Sequence, residues 1–162
     1  MKWLLITLLA CFSISVKAQD YKQDGNEVII AKRVEFEPGI AKLKSESTAA
    51  IQIIKLYLDD KLYISVLRVE SHTDNSADPG VSQALSENRA LAVCKKLIAM
   101  GVDCKRLVAV GFGDTKPVAD NSTPQGKAEN RRVTFVNVSL RGHIIGGMPV
   151  DGGGKIAGEL CN

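Results

Sequence analysis

The chain has 162 residues, of which 45% are hydrophobic and 24% are charged, a composition typical of a globular protein with a sizeable core. This length is enough for one domain that buries roughly two-thirds of the surface of the unfolded chain. The formal net charge is only +3, which excludes the strongly basic surface typical of nucleic-acid-binding proteins.

The first eighteen residues predict an export signal. Met1-Lys2 gives a positive start, residues 3–16 are mostly apolar, and Val16-Lys17-Ala18 places small residues where a signal peptidase cuts, so cleavage is expected before Gln19. The apolar run is shorter than the roughly 20 residues that a membrane-spanning helix needs. The alternative is Leu8-Leu9-Ala10-Cys11, which approximates a lipoprotein box with a lipid-modified Cys11. Either interpretation predicts export to the periplasm and association with the outer membrane.

Cleavage of this leader would remove Lys2, Lys17 and the only tryptophan, Trp3. The mature chain of about 144 residues would then carry a net charge of about +1, so no nucleic-acid partner is expected. Without tryptophan and with few other aromatic residues, a platform for stacking sugar rings is not expected either.

Three cysteines belong to the mature chain: Cys94, Cys104 and Cys161. Export permits a disulfide. Proximity in the sequence favours a bond between Cys94 and Cys104, with one thiol left over, although spacing alone does not determine the pairing. The alternative is that Cys94 is a small buried residue that packs inside a helix.

The first part of the chain predicts a lead-in, short strands and one helix. Residues 19–33 form the lead-in, in which 19–26 are polar and loose and 28–31 form a strand piece. Residues 34–36 predict a second strand piece. Ser47 predicts the cap of a helix whose apolar residues recur at helical spacing, namely Ala50, Ile51, Ile54 and Leu58.

Residues 62–69 are apolar in both alternating sets, which predicts an interior strand covered on both faces. Asp78-Pro79 predicts the start of the next helix, and Gly101 predicts its end. The following segment predicts further strands and turns: a strand at 107–110, a tight turn at 111–113, polar turns at 114–130 and a strand at 133–138.

Strands alternating with helices predict a two-layer α/β (α+β) sandwich with helices on one face of a mixed sheet. The main domain is expected to span residues 34–140. Residues 142–162 contain seven glycines, so 141–162 is predicted to be a tail that forms no compact core.

Asp74 and Arg89 lie on either side of a predicted loop. Asp74 follows the carboxyl end of an interior strand, where ligands often bind in α/β folds. Arg89 lies at the margin of the apolar stripe of the next helix, so its stem can pack while its guanidinium reaches the loop. The pair suits a zwitterion, with its ammonium at Asp74 and its carboxylate at Arg89. The alternative is an ordinary ion pair between the two side chains, worth about 0–1 kcal/mol when exposed.

Six short motifs occur in a fixed order along the chain: "HTD" at 72–74, "LSENRA" at 85–90, "GFG" at 111–113, Pro117, Asn121 and "NRRV" at 130–133. Their order and spacing resemble the OmpA-like peptidoglycan-binding domain, over residues 34–138. That family is shared by outer-membrane protein A, the peptidoglycan-associated lipoprotein and the flagellar motor protein MotB. The resemblance implies a βαβαβ-type fold that binds the stem peptide of peptidoglycan non-covalently.

By this resemblance, Asp74 and Arg89 hold the charged end of meso-diaminopimelate, which carries an ammonium and a carboxylate. The resemblance also assigns Thr73 and Ser82 to the ligand site. The chain departs from the family pattern at Ser71 and Ser82, which stand where Gly and Asn are usual. Because Ser82 reaches less far than Asn, these departures bear on affinity rather than on the class of ligand.

No enzyme, metal site or cofactor is predicted. Ser71 and His72 point to opposite faces of an extended segment, so they cannot form a triad with Asp74. His72 and Asp74 share a face but lack further metal ligands at a recognisable spacing, and His72 is interpreted as structural. Arg131-Arg132 predict a second anion contact or an ion-pair partner beside the last strand.

The sequence therefore predicts an exported, non-catalytic module that tethers the envelope to peptidoglycan through Asp74 and Arg89. An outer-membrane protein is considered as a further partner. The alternative is a periplasmic or outer-membrane protein-interaction or assembly module that has kept the fold but not the ligand. Ser82 and the glycine-rich tail that ends in Cys161-Asn162 motivate this alternative.

Overall fold

The computed structural model of the chain describes residues 20–147 and 151–161. The predicted leader at 1–18 and the alternative lipid site at Cys11 lie outside these residues. Within the described ranges, no helix is long and apolar enough to cross a membrane.

Within the described residues, seven strands form one mixed sheet, and three α-helices and one 3-10 turn (Cys104–Arg106) accompany it. The strands lie side by side in the order β1-β2-β5-β3-β4-β7, with β6 beside the end of β5. Only β3 and β4 run parallel, and α2 connects them; every other pair is antiparallel. The elements are β1 (Tyr21–Asp24), β2 (Glu27–Ile30), α1 (Ser47–Asp60), β3 (Ile64–His72), α2 (Pro79–Ala99), β4 (Leu107–Gly113), α3 (Pro124–Asn130), β5 (Val133–Leu140), β6 (His143–Ile144) and β7 (Lys155–Ile156).

The hydrophobic core lies between the sheet and the two long helices, which confirms the predicted α/β sandwich. Apolar residues spaced three or four apart bring one stripe of each helix to the sheet, where they are almost fully buried. Each such residue gains roughly 1.5–3 kcal/mol from leaving water. The core includes Ile51, Ile54 and Leu58 of α1, Val93 and Leu97 of α2, and Leu67 and Val69 of β3.

Strand β3 is the interior strand that the sequence predicts, but it runs from Ile64 to His72 and not over 62–69, and Leu62 and Tyr63 are exposed before it begins. It pairs with β4 on one side and β5 on the other, and every residue from Leu67 to His72 is buried. Arg68 and Glu70 face away from the core residue Val69, and they pair through a contact of 2.6 Å between Arg68 Nη2 and Glu70 Oε1. His72 stacks on Phe112 with 5.1 Å between the ring centroids. Both faces of the strand are therefore covered.

Helix α2 begins and ends where the sequence predicts. The Asp78 carboxylate accepts a hydrogen bond of 2.8 Å from the Gly80 N–H, Pro79 opens the first turn, and Gly101 has a φ of 97° after the last turn.

The tight turn predicted at 111–113 is wrong, because these residues complete β4. Gly111 is needed where α2 crosses the strand, since a Cβ atom there would lie 2.4 Å from the Glu87 nitrogen.

Residues 20–33 of the lead-in are ordered, contrary to the prediction of a loose segment at 19–26. Strand β1 pairs with β2, and Tyr21 packs edge-on against the buried Tyr57 with 5.0 Å between their ring centroids. Residues 34–36 form no strand beyond an isolated bridge between Phe36 and Leu43. The Tyr21–Tyr57 contact and the pairing with β2 explain the order of β1, and neither is visible in the local sequence.

Ser47 has a different role from the predicted helix cap. It is the first residue of α1. Its hydroxyl accepts a hydrogen bond of 2.7 Å from the Glu35 N–H and donates one of 2.7 Å to the Glu35 carbonyl. The hydroxyl thus fixes residues 34–36 against the start of α1. This segment becomes one wall of the cleft described below.

The polar segment 114–130 contains a short helix, α3, that the sequence prediction missed. Thr123 caps it by accepting a hydrogen bond of 3.0 Å from the Gly126 N–H, and Pro124 fills the first turn. Asn130 is fully buried at its end, where the side-chain oxygen accepts hydrogen bonds from the Val118 and Ala119 N–H groups. Thr123-Pro124 was the available signal for this helix.

The described parts of the glycine-rich tail, 141–147 and 151–161, join the fold, so the prediction that the tail forms no compact core is wrong. It begins at β6 beside β5, and the Gly147 carbonyl then accepts a hydrogen bond of 2.7 Å from Arg68 in the middle of the sheet. Strand β7 pairs with the opposite edge strand, β4, and Ala157 is buried in the core. Glycine allows this path, because Gly152 and Gly153 adopt positive φ angles where the tail contacts the loop after β4.

The disulfide joins Cys104 to Cys161 and not Cys94 to Cys104 as proximity predicts. Cys94 is a free thiol on the core-facing side of α2, which agrees with the alternative that it is a small buried residue of a helix. Burial raises its pKa to about 12. The prediction failed because Cys94 faces the core while the docked tail brings Cys161 to the start of β4. The bond fastens the end of the tail to the domain.

We expect Cys161→Ser to lower the free energy of unfolding by about 2–4 kcal/mol, because it opens a cross-link between residues 57 apart in the sequence. Urea denaturation with and without reductant measures this loss. Reductant should bring the wild type to the stability of Cys161→Ser and leave that variant unchanged. The Cys94→Ala protein should keep the wild-type response to reductant. A wild type that is indifferent to reductant would contradict the structural role of the bond.

Candidate functional site

A cleft of about 520 Å³ opens beside the carboxyl end of β3. Its floor includes Ser71 and His72 of β3, and Arg89 of α2 lines one side. The segment 33–39 and residues 128–133, at the junction of α3 and β5, complete the walls. The cleft therefore lies beside the loop that carries Asp74, and its lining includes one of the four predicted site residues, Arg89.

Asp74 follows β3 directly and is held by two neighbours. Its Oδ1 atom accepts a hydrogen bond of 2.9 Å from the Ser76 N–H, and its Oδ2 atom accepts one from Arg131 Nη1. Burial would raise the pKa of this carboxyl, but the hydrogen bonds from Arg131 and Ser76 outweigh burial and hold the pKa below its usual value. Asp74 is therefore ionised at neutral pH.

Arg89 is 8% exposed and lines the cleft. Its Nε group donates a hydrogen bond of 3.2 Å to the Ile40 carbonyl, and its guanidinium carbon lies 4.9 Å from the centre of the Phe36 ring. Burial and the nearby Arg131 lower its pKa, yet a guanidinium remains charged at any physiological pH. Among the described residues, its two Nη groups have no hydrogen-bond partner.

Asp74 and Arg89 do not form an ion pair with each other within the described structure. The carboxylate binds Arg131 instead, and Arg89 contacts a carbonyl and an aromatic ring. The alternative that the two side chains simply pair is therefore wrong. Arg131 fits one of the two roles considered for Arg131-Arg132, that of an ion-pair partner, although the sequence did not indicate that Asp74 would be its partner.

The other two predicted residues, Thr73 and Ser82, are buried and do not line the cleft. The Thr73 N–H bonds the Gly113 carbonyl at 2.8 Å, which ties the start of the loop to the end of β4. Neither side-chain hydroxyl has a hydrogen-bond partner among the described residues. Asp74 also lies outside the lining and reaches the cleft through Arg131. Of the four predicted residues, only Arg89 faces the cleft directly.

The cleft has a clear excess of positive charge. Four arginines and one lysine line it, against a single carboxylate from Glu35: Arg33, Arg89, Arg131, Arg132 and Lys44. The Glu35 carboxylate forms an ion pair with Lys44 at 3.0 Å. The Arg132 guanidinium donates a hydrogen bond of 3.1 Å to the Lys116 carbonyl. A concave surface with this charge favours an anionic group.

The loop between β3 and α2 is braced on both sides. Asp74 accepts from the Ser76 N–H at one end, and the Asp78 side chain caps α2 at the other. Lys127 of α3 donates a hydrogen bond of 3.0 Å to the Ser76 hydroxyl. The position of the Asp74 carboxylate is thus fixed before any ligand arrives, which lowers the entropic cost of binding.

His72 is buried at the base of the cleft, and its contacts agree with a structural role. Burial lowers its pKa, although the neighbouring Glu70 carboxylate opposes this shift. For Glu70, burial would raise the pKa, but His72 and Arg68 lower it to about 2. Arg68, Glu70 and His72 thus form a polar network on the face of β3 opposite the helices.

Comparison with known proteins places these features in a family. Residues 35–131 match the OmpA family. The chain belongs to this family. It is 34% identical to the outer-membrane lipoprotein YfiB of Pseudomonas aeruginosa over 117 residues, which cover 72% of this chain and 69% of that protein. It is 37% identical to outer membrane porin F of the same organism over 75% of this chain, but spans only 35% of the porin.

Solved structures agree on the fold. The cell wall anchor of the T6SS from Pseudomonas aeruginosa superposes with a TM-score of 0.62 at 30% identity, covering 76% of this chain and 91% of that chain. The peptidoglycan-associated lipoprotein from Burkholderia pseudomallei gives a TM-score of 0.59 at 30% identity, covering 65% and 90%. These matches confirm the predicted OmpA-like fold with helices on a mixed sheet.

The family membership also settles the cellular setting. OmpA-like domains associate with peptidoglycan, and the relatives include outer-membrane lipoproteins and a porin. The chain is an exported protein of the cell envelope, located in the periplasm and associated with the outer membrane.

Substitution of Arg131 by alanine should raise the pKa of Asp74, because the burial of the carboxyl would no longer be opposed by this guanidinium. The stability that the pair contributes should be about 0–1 kcal/mol, since half of the Arg131 side chain is exposed. It should be present above the ordinary pKa of Asp and vanish as the pH falls through the pKa of Asp74 in the folded protein. NMR titration of the Asp74 carboxyl carbon measures the shift.

Arg33→Ala is the matched control for this titration. Arg33 also lines the cleft, but its guanidinium donates to the Ala128 carbonyl and not to a carboxylate. The pKa of Asp74 should therefore stay at its wild-type value. Equal shifts in the two variants would show that general loss of positive charge, and not the bond to Arg131, sets this pKa.

Proposed function

We propose that this protein binds peptidoglycan non-covalently through the meso-diaminopimelate of the stem peptide, and so tethers the envelope to the cell wall. The observation that carries the proposal is the state of Arg89. Its guanidinium is buried against the cleft, and no carboxylate of the described residues pairs with it. A buried cation without a counter-ion is costly, so a ligand carboxylate would supply the missing partner.

The ammonium of the same ligand is assigned to Asp74. An ionised carboxylate can accept about four hydrogen bonds, and Asp74 uses two, from Ser76 and Arg131. The Asp74 carboxylate can therefore still accept hydrogen bonds from a ligand ammonium while it remains paired with Arg131. Together, Arg89 and Asp74 would distinguish a zwitterionic end from a simple amine or a simple acid.

The strength of one such site is modest. Two or three charge-assisted hydrogen bonds contribute about 1.5–3 kcal/mol each before the cost of immobilising the ligand. A micromolar complex requires about −8.2 kcal/mol. Peptidoglycan presents the same stem peptide many times, so repeated rebinding would retain the protein even at weak affinity for a single site.

The relatives support this class of ligand. They include the peptidoglycan-binding protein ArfA of Mycobacterium tuberculosis, 41% identical over 68 residues, and the cell wall anchor already described. The proposed role is binding without catalysis. Ser71 and His72 lie on opposite faces of β3, so they do not form a nucleophile and base.

We expect Asp74→Asn and Arg89→Ala each to weaken binding of a diaminopimelate-containing tripeptide about 10- to 100-fold, the loss of one charge-assisted contact. NMR titration measures the tripeptide affinity, and co-sedimentation with purified sacculi measures retention on the polymer. Asp60→Asn and Arg141→Gln are matched controls. Both positions are exposed and lie at the opposite ends of β3 and β5 from the cleft.

The controls should bind like the wild type, and circular dichroism should show all four variants folded. If Asp74→Asn and Arg89→Ala sediment with sacculi as well as the wild type does, the assigned site is wrong. If the wild type itself neither binds the tripeptide nor sediments, and crosslinking instead captures one discrete envelope protein, the alternative of an assembly module is favoured.

A further inference from the structure

Ser71 is buried in the floor of the cleft with an unused hydroxyl. The residue is 1% exposed, and it belongs to the lining together with Arg89. Its Oγ atom has no hydrogen-bond partner among the described residues. The sequence departs from the OmpA-like pattern here, since glycine is usual at this position.

The surrounding backbone offers this hydroxyl no partner. Ser71 lies in the middle strand of three, where it pairs with Gly111 of β4 on one side and with Val133 of β5 on the other. Strand pairing occupies the backbone groups on both sides. A buried hydroxyl without a partner is unfavourable, so its presence at a cleft lining points to a partner that arrives with the ligand.

The chemistry of the lining defines that partner. A serine hydroxyl can donate one hydrogen bond, and a carboxylate has four positions that accept them. Arg89, in the same lining, supplies donors for a carboxylate but cannot fill every position alone. A second donor from the floor of the cleft would complete the binding of that carboxylate.

We propose that the Ser71 hydroxyl donates a hydrogen bond to the ligand carboxylate that Arg89 binds, which makes Ser71 a specificity-determining residue. This inference rests on the proposed function. It favours diaminopimelate, whose side chain ends in both an ammonium and a carboxylate, over lysine, which has the ammonium alone. Ser71 thus adds to the selectivity of Arg89 for a carboxylate.

The test compares Ser71→Ala with the wild type on two tripeptides, L-Ala-γ-D-Glu-meso-diaminopimelate and L-Ala-γ-D-Glu-L-Lys, by NMR titration. The substitution removes only the hydroxyl oxygen. We expect the affinity for the diaminopimelate peptide to fall about 10- to 100-fold, as for the loss of one hydrogen bond to a charged group. The affinity for the lysine peptide should stay within about twofold of the wild type, because the lysine side chain lacks the terminal carboxylate of diaminopimelate.

Thermal unfolding separates binding from a structural effect. Removing an unpartnered hydroxyl should leave the melting temperature of Ser71→Ala at or above that of the wild type. Ser139→Ala is the control, since Ser139 is also buried in the sheet but lies near the opposite end of β3 and outside the cleft lining. It should leave both affinities unchanged.

Two results would overturn this inference alone. Either Ser71→Ala binds the diaminopimelate peptide as tightly as the wild type, or it loses the same factor on both peptides while Asp74→Asn and Arg89→Ala still weaken binding. If the wild type binds neither peptide, the proposed function and this inference fail together. The three outcomes are therefore distinguishable.

Discussion

The burial of β3 on both faces is the constraint on which the rest of the structure depends. The backbone groups of β3 pair with β4 on one side and β5 on the other, and the helices cover one face. The chain leaves this buried environment in the polar loop that follows the strand. That place is the carboxyl end, where Asp74 and the capped start of α2 follow in the chain. The one charged pair within the buried part of β3, Arg68 and Glu70, is internally compensated, whereas Asp74 and Arg131 meet beyond the end of the strand.

The elements that the sequence predicted are those with strong local signals. The two-sided apolar run of β3, the Asp78-Pro79 opening of α2 and the Gly101 stop are all readable within a few residues, and each is confirmed. The docked tail and its disulfide are not readable in this way. Cys104 and Cys161 are separated by 57 residues, and glycine-rich sequence indicates freedom of the backbone without indicating whether packing removes it.

The same distinction applies to the site. The position of Asp74 after a strand and of Arg89 beside an apolar stripe placed both near one loop, and the OmpA-like motifs gave them a role. The bond between Asp74 and Arg131 joins residues that are also 57 apart, and no periodicity reports it. The unused hydroxyl of Ser71 depends on strand pairing and on the shape of the cleft, both of which are tertiary properties.

The network behind the cleft links the stability of the site to pH in one direction. Glu70 has a pKa of about 2 in the folded protein, so the stability it contributes is present above the ordinary pKa of Glu and is lost as the pH falls towards 2. His72 has a lowered pKa, so below its ordinary value the unfolded chain takes up a proton that the folded chain resists. Both effects weaken the fold on the acidic side. Because the Gly147 carbonyl of the tail accepts a hydrogen bond from Arg68 in this network, the tail helps to stabilise the strand that carries Ser71 and leads into Asp74.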